Sequence, residues 1–542
     1  MKKIIMFSAA LIFGATLSAQ NLNPEVQVTN DYVSNFSEMP KQGISMAVPD
    51  SLHRFDYHFD YNVFDSPYKG AYEFSPYSVS IKPDPAPFGG KTLYASIGAG
   101  YTLHPELDVV WTPVRGKCVA LSFVEKARGF YGSYRTFDKD FAVTGTTGNG
   151  EYDFSNHTAL DGRLWFGRSA LKFDLGYDGL FTSTLYGLGD NCHSAFAAVR
   201  LKPNSDASNR FYYELGLNYR LSRTQTITDN NIFVDGKLGG EFSRRRISCL
   251  LDYNLALNSF YRGFDLAPHA DFSFGPVGFK AGLRMGIDRK RIEESRSSLV
   301  IYPDLTASIN IVKDYLQMIL YATGGPRYNS YFGFKSSDHR FSCDTLGVTK
   351  DKLDVGGGLR GQISSTVQYS VKAGYKIMRD AALYTLDPLR DGVSGYSYDV
   401  PYRQSVGYVD YNSFYVDASL LWKSERIDAD ASFLYLSDNL PVASGFFAPA
   451  PLSGGVHFTC NWGRRFFFGV GADAASARTT TLLGNTLTIP GYVDLGTSLE
   501  FKFARGWSVW LKGGNLLNMD IRRTPLYGEY GICATAGVRL SL

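Results

Sequence analysis

The chain has 542 residues, with 55 Lys+Arg against 52 Asp+Glu, and at ~150 residues per domain its length would accommodate three or four soluble domains. The near balance of charge excludes a nucleic-acid binder built on a basic stripe, and an aromatic content of 15% excludes a disordered chain. Gly and aromatic residues are abundant together (55 Gly, 36 Tyr and 38 Phe), a pairing that favours β structure over helix.

In chain order, Lys2 and Lys3 open a positive segment, Ile4 to Leu17 is apolar, and Ser18-Ala19-Gln20 supplies small residues. Residues 1–19 therefore read as a secretory signal peptide, too short in its apolar run to span a bilayer. Residues 20–91 follow as a short, non-globular extension facing the periplasm or the lumen. Within it Glu25, Val26, Gln27, Val28 and Thr29 form an acidic, β-branched stretch that can add a strand to a partner's sheet edge. From Arg54 the extension becomes dense in aromatics: Phe55, Tyr57, Phe59 and Tyr61 alternate with Asp56, His58 and Asp60. Pro83, Pro85 and Pro87 then form a stiff hinge before Thr92. Such an extension suits packing in the lower lumen or contact with a periplasmic or lipoprotein partner through residues 20–90.

From residue 92 to 542 the dominant signal is period-two alternation. Tyr213, Leu215, Leu217, Tyr219 and Leu221 interleave with Glu214, Gly216, Asn218, Arg220 and Ser222. Leu171 to Asp178, Gln368 to Ile377 and Ile427 to Tyr435 repeat the pattern. Alternation puts one apolar and one polar face on each strand. The segments reach the ~9–11 residues of a tilted membrane strand, and aromatics recur near their ends as a girdle would. An open sheet edge is not tolerated in lipid, so such strands must close on themselves. The expected fold is all-β: a transmembrane antiparallel β-barrel of about 22 strands in contact with outer-membrane lipids.

The connections sort into two kinds. Tight ones are expected at Arg115-Gly116-Lys117, Arg168-Ser169, Asn204 to Asn209, Arg244-Arg245-Arg246, Pro276-Val277-Gly278, Lys313-Asp314, Ser365-Thr366, Ser424-Glu425, Trp462-Gly463-Arg464 and Ala504-Arg505-Gly506. Long ones are expected at Phe130 to His157, Arg289 to Ser298, Gly324 to Leu353, Tyr384 to Asn412, Asp438 to Leu452 and Asn515 to Gly531. With an even strand number, all tight turns fall on one side of the membrane. Two of the long connections carry the Tyr, Asp and Arg mix that contacts glycans or protein surfaces. The first holds Arg327, Tyr328, Tyr331, Phe332, Phe334, His339 and Asp344; the second holds Asp387, Arg390, Asp391, Tyr396, Tyr398 and Tyr402. Arg327, Tyr328, Tyr331, Asp387, Arg390 and Tyr396 are the candidate surface contacts, against the alternative that these loops are a lid sealing the mouth.

No constellation points to an enzyme, a metal or a cofactor. The eight histidines are scattered, and the six cysteines lie far apart, leaving any pairing open. His193 beside Ser194 is the only pair with the elements of a nucleophile and base. Glycine clusters such as Gly98-Ala99-Gly100 sit inside strand patterns, where Gly allows close backbone approach and not phosphate binding.

The last forty residues carry a resemblance. Gly506-Trp507-Ser508-Val509-Trp510-Leu511-Lys512-Gly513-Gly514-Asn515-Leu516-Leu517-Asn518 resembles the penultimate strand and following turn of TonB-dependent receptors. Tyr527 to Leu542 resembles their closing strand, with Ala534, Ala536, Val538, Leu540 and Leu542 facing lipid and Leu542 where the family has an aromatic. Glu25 to Thr29 resembles their TonB box. Those receptors place a globular plug before the first strand, whereas residues 20–91 are too few for one. The chain is thus similar to plugless, receptor-like proteins common in the outer membranes of Bacteroides-type bacteria. The resemblance implies a part in solute passage across the outer membrane. The alternative is a non-transporting scaffold subunit of an outer-membrane complex for assembly, secretion or nutrient uptake.

Overall fold

A strand with alternating polarity is stable in a bilayer only if its apolar face meets lipid and its backbone is paired on both edges. The wall has an exposed apolar outer face and strands paired on both edges. Leu215, Leu217 and Tyr219 are 45%, 47% and 38% exposed on the outer surface, while Glu214, Asn218 and Arg220 point inward among other polar groups. The computed structural model describes residues 92–542 apart from residues 102, 117, 138–142, 147–149, 184–190, 205–210, 243–246, 291–297, 314, 389–401, 483–484, 525–526 and 529–530. The expected segments at residues 1–91 lie outside the described residues.

Twenty-two strands form a closed antiparallel wall. In order they are Leu93–Tyr101, Glu106–Arg115, Val119–Gly132, Glu151–Phe166, Ser169–Thr182, Cys192–Pro203, Phe211–Arg223, Thr228–Phe242, Ile247–Asn258, Tyr261–Phe274, Val277–Lys290, Ser298–Val312, Leu316–Tyr328, Val348–Ser364, Val367–Pro388, Tyr402–Lys423, Ile427–Asp438, Leu452–Trp462, Phe466–Ala475, Tyr492–Ala504, Trp507–Gly514 and Cys533–Ser541. Each pairs with its neighbour in sequence, and the last pairs with the first in the register Ser96 to Arg539 and Ala99 to Ala536. Two backbone hydrogen bonds between Leu93 and Leu542, at 3.2 and 2.8 Å, finish the seam. A two-residue stub, Phe446–Phe447, adds to the fifteenth strand outside this circuit.

The seam is held inside by side chains as well. Arg539 pairs with Glu500, Ser508 donates to Glu500 at 2.6 Å, and the Trp510 indole donates to Ser96 at 3.0 Å. Gly98 and Gly537 make room for that indole, since a Cβ on either would lie 2.4 Å from it. On the outer face of the closing strand, Ala534, Ala536 and Val538 alternate with buried Thr535 and Arg539, as the resemblance implies.

The strand pairs that the ten expected tight turns would join all have those ends on one side of the wall, called here the turn end; the turns expected at 205–209 and 244–246 lie outside the described residues. The other end carries the longer connections, but three are shorter than the sequence suggests, among them Phe130 to His157, whose flanking strands reach Gly132 and Glu151. Tyr384 to Asn412 is mostly ladder: Val367–Pro388 and Tyr402–Lys423 run 22 residues each and stay paired from Ala381 with Val409 to Pro388 with Tyr402. A bulge between Met378 and Ala381, with Asp380 at φ 51°, shifts the phase of alternation there and hides the continuing strand from a period-two reading. Likewise the connection expected from Gly324 to Leu353 begins after Tyr328 and ends at Val348.

Candidate functional site

The connection between the thirteenth and fourteenth strands, residues 329–347, folds inward across the mouth. It starts with Asn329, whose side-chain amide donates to Gly347 O at 2.9 Å and Thr349 Oγ1 at 3.1 Å, while Tyr261 donates to its carbonyl at 2.6 Å. The loop is thereby pinched at its base. Ser330 then caps the helix Tyr331–Ser337, accepting from Gly333 N at 3.0 Å. The helix ends where Asp338 turns extended and its N–H reaches Phe334 O at 3.0 Å. Its apolar face is Tyr331 and Phe334, and both rings pack on Phe341. Tyr331, Phe341, Cys343 and Leu346 form a core with Ala256, Tyr261, Val348 and Val406 of the wall. Lys335 is buried in this core, and its ammonium is satisfied by Phe341 O at 2.9 Å.

The far side of the loop is fixed to the opposite wall. His339 hydrogen-bonds Asp153 at the mouth end of the fourth strand, nine strands from where the loop leaves the wall. Phe332 lies 4.1 Å from the Arg220 guanidinium, which also rests on Phe196 at 4.7 Å and donates to Asp178 at 2.5 Å and Ser194 at 2.9 Å. Arg340 sits 4.6 Å over the Tyr134 ring, and Asp338 accepts from Gln404 of the sixteenth strand. A single connection therefore reaches the junction of the third and fourth strands, the seventh strand and the sixteenth.

Other connections join it in a cap. The hairpin formed by Arg478–Leu482 and Asn485–Ile489 buries Leu487 and Ile489, and Thr480 donates to Val442 O at 3.2 Å. Arg478 donates to the carbonyls of Arg522 and Arg523 at 3.2 and 2.7 Å; burial lowers its pKa from the ordinary arginine value. Arg135 donates to Asn518 O at 3.0 Å and lies 3.6 Å from Asp520. The Asn515-Leu516-Leu517-Asn518 turn has its physical reason here. Asn515 and Asn518 sit at φ 44° and 51°, the left-handed region Asn tolerates, and Asn515 Oδ1 accepts from Met519 N at 2.9 Å.

Below the cap the lumen is lined by charges paired across neighbouring strands. Arg200 bridges Glu214 at 2.7 Å and Asp235 at 3.0 Å; Lys280 meets Asp304 at 2.8 Å; Lys512 meets Glu106 at 2.6 Å. His457 lies between Asp430 at 3.0 Å and Asp473 at 3.4 Å. The lining is hydrophilic while opposite charges stay local. Among the described residues no group of three His, Cys, Asp or Glu side chains could hold a metal ion. Cys192 and Cys343 are buried, and Cys118 and Cys249 are exposed. His193 and Ser194 are consecutive on one strand and therefore face opposite ways. His193 bonds Tyr177 OH at 2.7 Å, whereas Ser194 bonds Ser222 at 3.0 Å, so they do not form a nucleophile–base pair.

The structure separates the six candidate contacts. Arg327 is half-exposed at the rim and pairs with Asp351 at 2.8 Å. Tyr328 points inward, donating to Asp265 at 2.8 Å and stacking on Tyr261. Tyr331 is fully buried beneath the loop and not presented on its surface. Asp387 stands in the fifteenth strand opposite Arg403. Arg390 and Tyr396, like Glu25 to Thr29, lie outside the described residues. The residues that hold the cap across the lumen include Asp153, Arg220 and Gln404. No local sequence signal marks them, because each is an ordinary inward position of a strand.

No protein-family model matches the chain, and no curated protein matches it in sequence. Solved structures do match. The siderophore receptor PirA from Acinetobacter baumannii aligns over 83% of this chain and 80% of its own, with a TM-score of 0.60 and 10% identity. The two chains share a barrel fold. The FrpB iron transporter from Neisseria meningitidis (F3-3 variant) gives 83% and 81% with a TM-score of 0.60 at 8% identity. The ferric enterobactin receptor PfeA from Pseudomonas aeruginosa, in complex with BCV-L6, gives 83% and 81% with a TM-score of 0.59 at 8% identity. At these identities the likeness is one of fold, a fold that matches Gram-negative outer-membrane receptors.

Proposed function

We propose that this chain is an integral outer-membrane barrel of the TonB-dependent-receptor type that lacks a full plug, and that it takes part in passage of a solute across the outer membrane. The observation carrying the proposal is the loop 329–347 spanning the mouth from the thirteenth strand to Asp153 on the fourth. In this reading the loop acts as the gate above a hydrophilic lumen. The matched structures are named for siderophores and iron, so a ferric chelate is the first solute to test. Residues 1–19 serve as the signal peptide, and residues 20–91 provide the periplasmic contact, with Glu25 to Thr29 pairing as an added strand on a TonB-like or lipoprotein partner.

The interlocked cap also fits the scaffold reading, in which the mouth stays shut and the barrel holds partners. Planar-bilayer conductance separates the two. The intact chain should conduct weakly, and a variant with residues 331–346 replaced by a short Gly/Ser linker should open a steady conductance. A variant as silent as the intact chain would defeat the gate and leave the scaffold, whose partners would then co-purify in stoichiometric amounts.

A further inference from the structure

On the third strand the wall places a carboxylate among its outward positions. Val124 packs inside the barrel with Tyr94, Val110 and Ala159, so Phe123, Glu125 and Ala127 face outward. Glu125 is the seventh of the 14 residues of Val119–Gly132, midway between exposed Val119 and exposed Tyr131. Its cross-strand neighbours on the outer face are Val109 and Thr158. Carboxylates of the lumen have cations beside them, as Asp174 has Lys172 and Glu214 has Arg200. Glu125 has no such cation among the described residues, and its hydrogen bond comes from Thr158 Oγ1, 2.6 Å from Oε2. Asn156 donates to the same hydroxyl at 3.4 Å, and its own Oδ1 is buried with no hydrogen-bond partner among the described residues. In hydrocarbon such groups are costly, and they mark contacts with a function.

Depth limits what can cover this cluster. Headgroups lie at the rims, marked on these strands by exposed Tyr131 and Tyr152 at the mouth and exposed Trp111 and Phe166 at the turn end. Glu125 lies between those levels, where lipid tails offer no donor, so a donor there must come from a membrane-embedded polypeptide. The surrounding face is also flat. Phe154 lies over Gly129, where a Cβ would be 2.8 Å from the ring, and Phe173 lies over Gly162 in the same way. Neither ring stands out from the wall, whereas Leu299 and Ile301 of the twelfth strand are exposed. Close approach together with a side chain able to hydrogen-bond is the combination that protein packing within a membrane uses.

We propose that the outer face of the third and fourth strands is the contact between two copies of this chain, closed by Glu125 and Thr158 across a two-fold axis. The pair is self-complementary, which is what such an axis demands. An axis parallel to the barrel and between the two strands sets the third strand of one copy against the fourth of the other. Glu125 of each copy then meets Thr158 of its mate. The two carboxyl groups share one proton, the protonated one donating its O–H to the other, and the two hydroxyls complete the cluster. A different membrane protein would have to bring matching donors of its own, whereas a second copy has them in place.

The test is sedimentation equilibrium of the full chain in a density-matched mild detergent, over a range of protein-to-detergent ratios. The intact chain should show a monomer–dimer equilibrium. Glu125→Leu, which suits a lipid-facing position, should fold and raise the dimer dissociation constant about tenfold, the scale of hydrogen bonds between membrane-embedded elements. Glu125→Gln should keep most of the association, because a pair of amides still offers a donor and an acceptor to each other. Leu299→Ala, on the outer face of the twelfth strand, should leave it unchanged. Folding is checked by heat-dependent gel mobility, and if Glu125→Leu does not fold, Thr158→Val takes its place and should weaken the dimer in the same direction. An intact chain that stays monomeric at every ratio, a Glu125→Leu variant that pairs as tightly as the intact chain, or a Glu125→Gln variant as weak as Glu125→Leu would overturn the proposal. So would a membrane protein of another sequence, co-purifying in equal amount with the intact chain and lost with Glu125→Leu.

Discussion

The wall and the cap are built on opposite rules. In the wall every strand pairs with its neighbour in sequence, and a side chain's environment follows from whether its position is odd or even. In the cap, residues far apart in sequence meet, as with His339 and Asp153, which are 186 positions apart. The wall resists change through many equivalent contacts between adjacent strands. The cap depends on a few buried side chains, chiefly Tyr331, Phe341 and Leu346, packed on a small patch of the wall. It follows that damage to the cap should stay in the cap, and damage to the wall should be felt by the whole barrel.

The sharpest way to break this contrast is Phe341→Ala. Phe341 is fully buried among Tyr331, Phe334 and Tyr384, and its loss should cost the cap about 3–5 kcal/mol. Limited proteolysis should then cut within residues 329–347 much faster, with the heat-resistant mobility of the barrel unchanged; loss of that mobility would mean the cap also supports the wall. Next is Leu217→Arg on the lipid face, which should destabilise the barrel by about 2–4 kcal/mol if it lies near the midplane, read as the denaturant midpoint for folding into vesicles. An unchanged midpoint would show that this face does not meet lipid. The smallest effect is expected for Arg327→Ala. Its partner Asp351 keeps Lys376 at 2.9 Å, so the loss should stay below about 1 kcal/mol. A drop in solute binding at unchanged stability would make Arg327 a contact residue and not a structural one.

How far the sequence could be read follows from the same contrast. Strand polarity, strand order and closure depend on local alternation and turn chemistry, so they are legible in segments such as Tyr213 to Ser222. The extension of the fifteenth and sixteenth strands is not, because the bulge at Asp380 breaks the phase just where the strand leaves the regular pattern. The loop 329–347 stands out by composition, but composition does not tell that its helix turns Tyr331 into the core and not onto the surface. Asp153, Gln404 and Arg220 gave no sign, since an inward polar residue looks the same whether it lines water or receives a loop. The Asn515 to Asn518 turn was legible as a resemblance, and its left-handed backbone supplies the reason for both asparagines.

The crossing loop also has a mechanical meaning. A ring of tilted strands is stiff along its axis but yields easily to squeezing, becoming oval under lateral load. A member fixed at the thirteenth strand and again at Asp153 is a strut across that ring. Squeezing along its length must compress the strut, and squeezing at right angles must pull on its His339 end. The shape of the bilayer-embedded hoop and the attachment of the strut are thus geometrically linked.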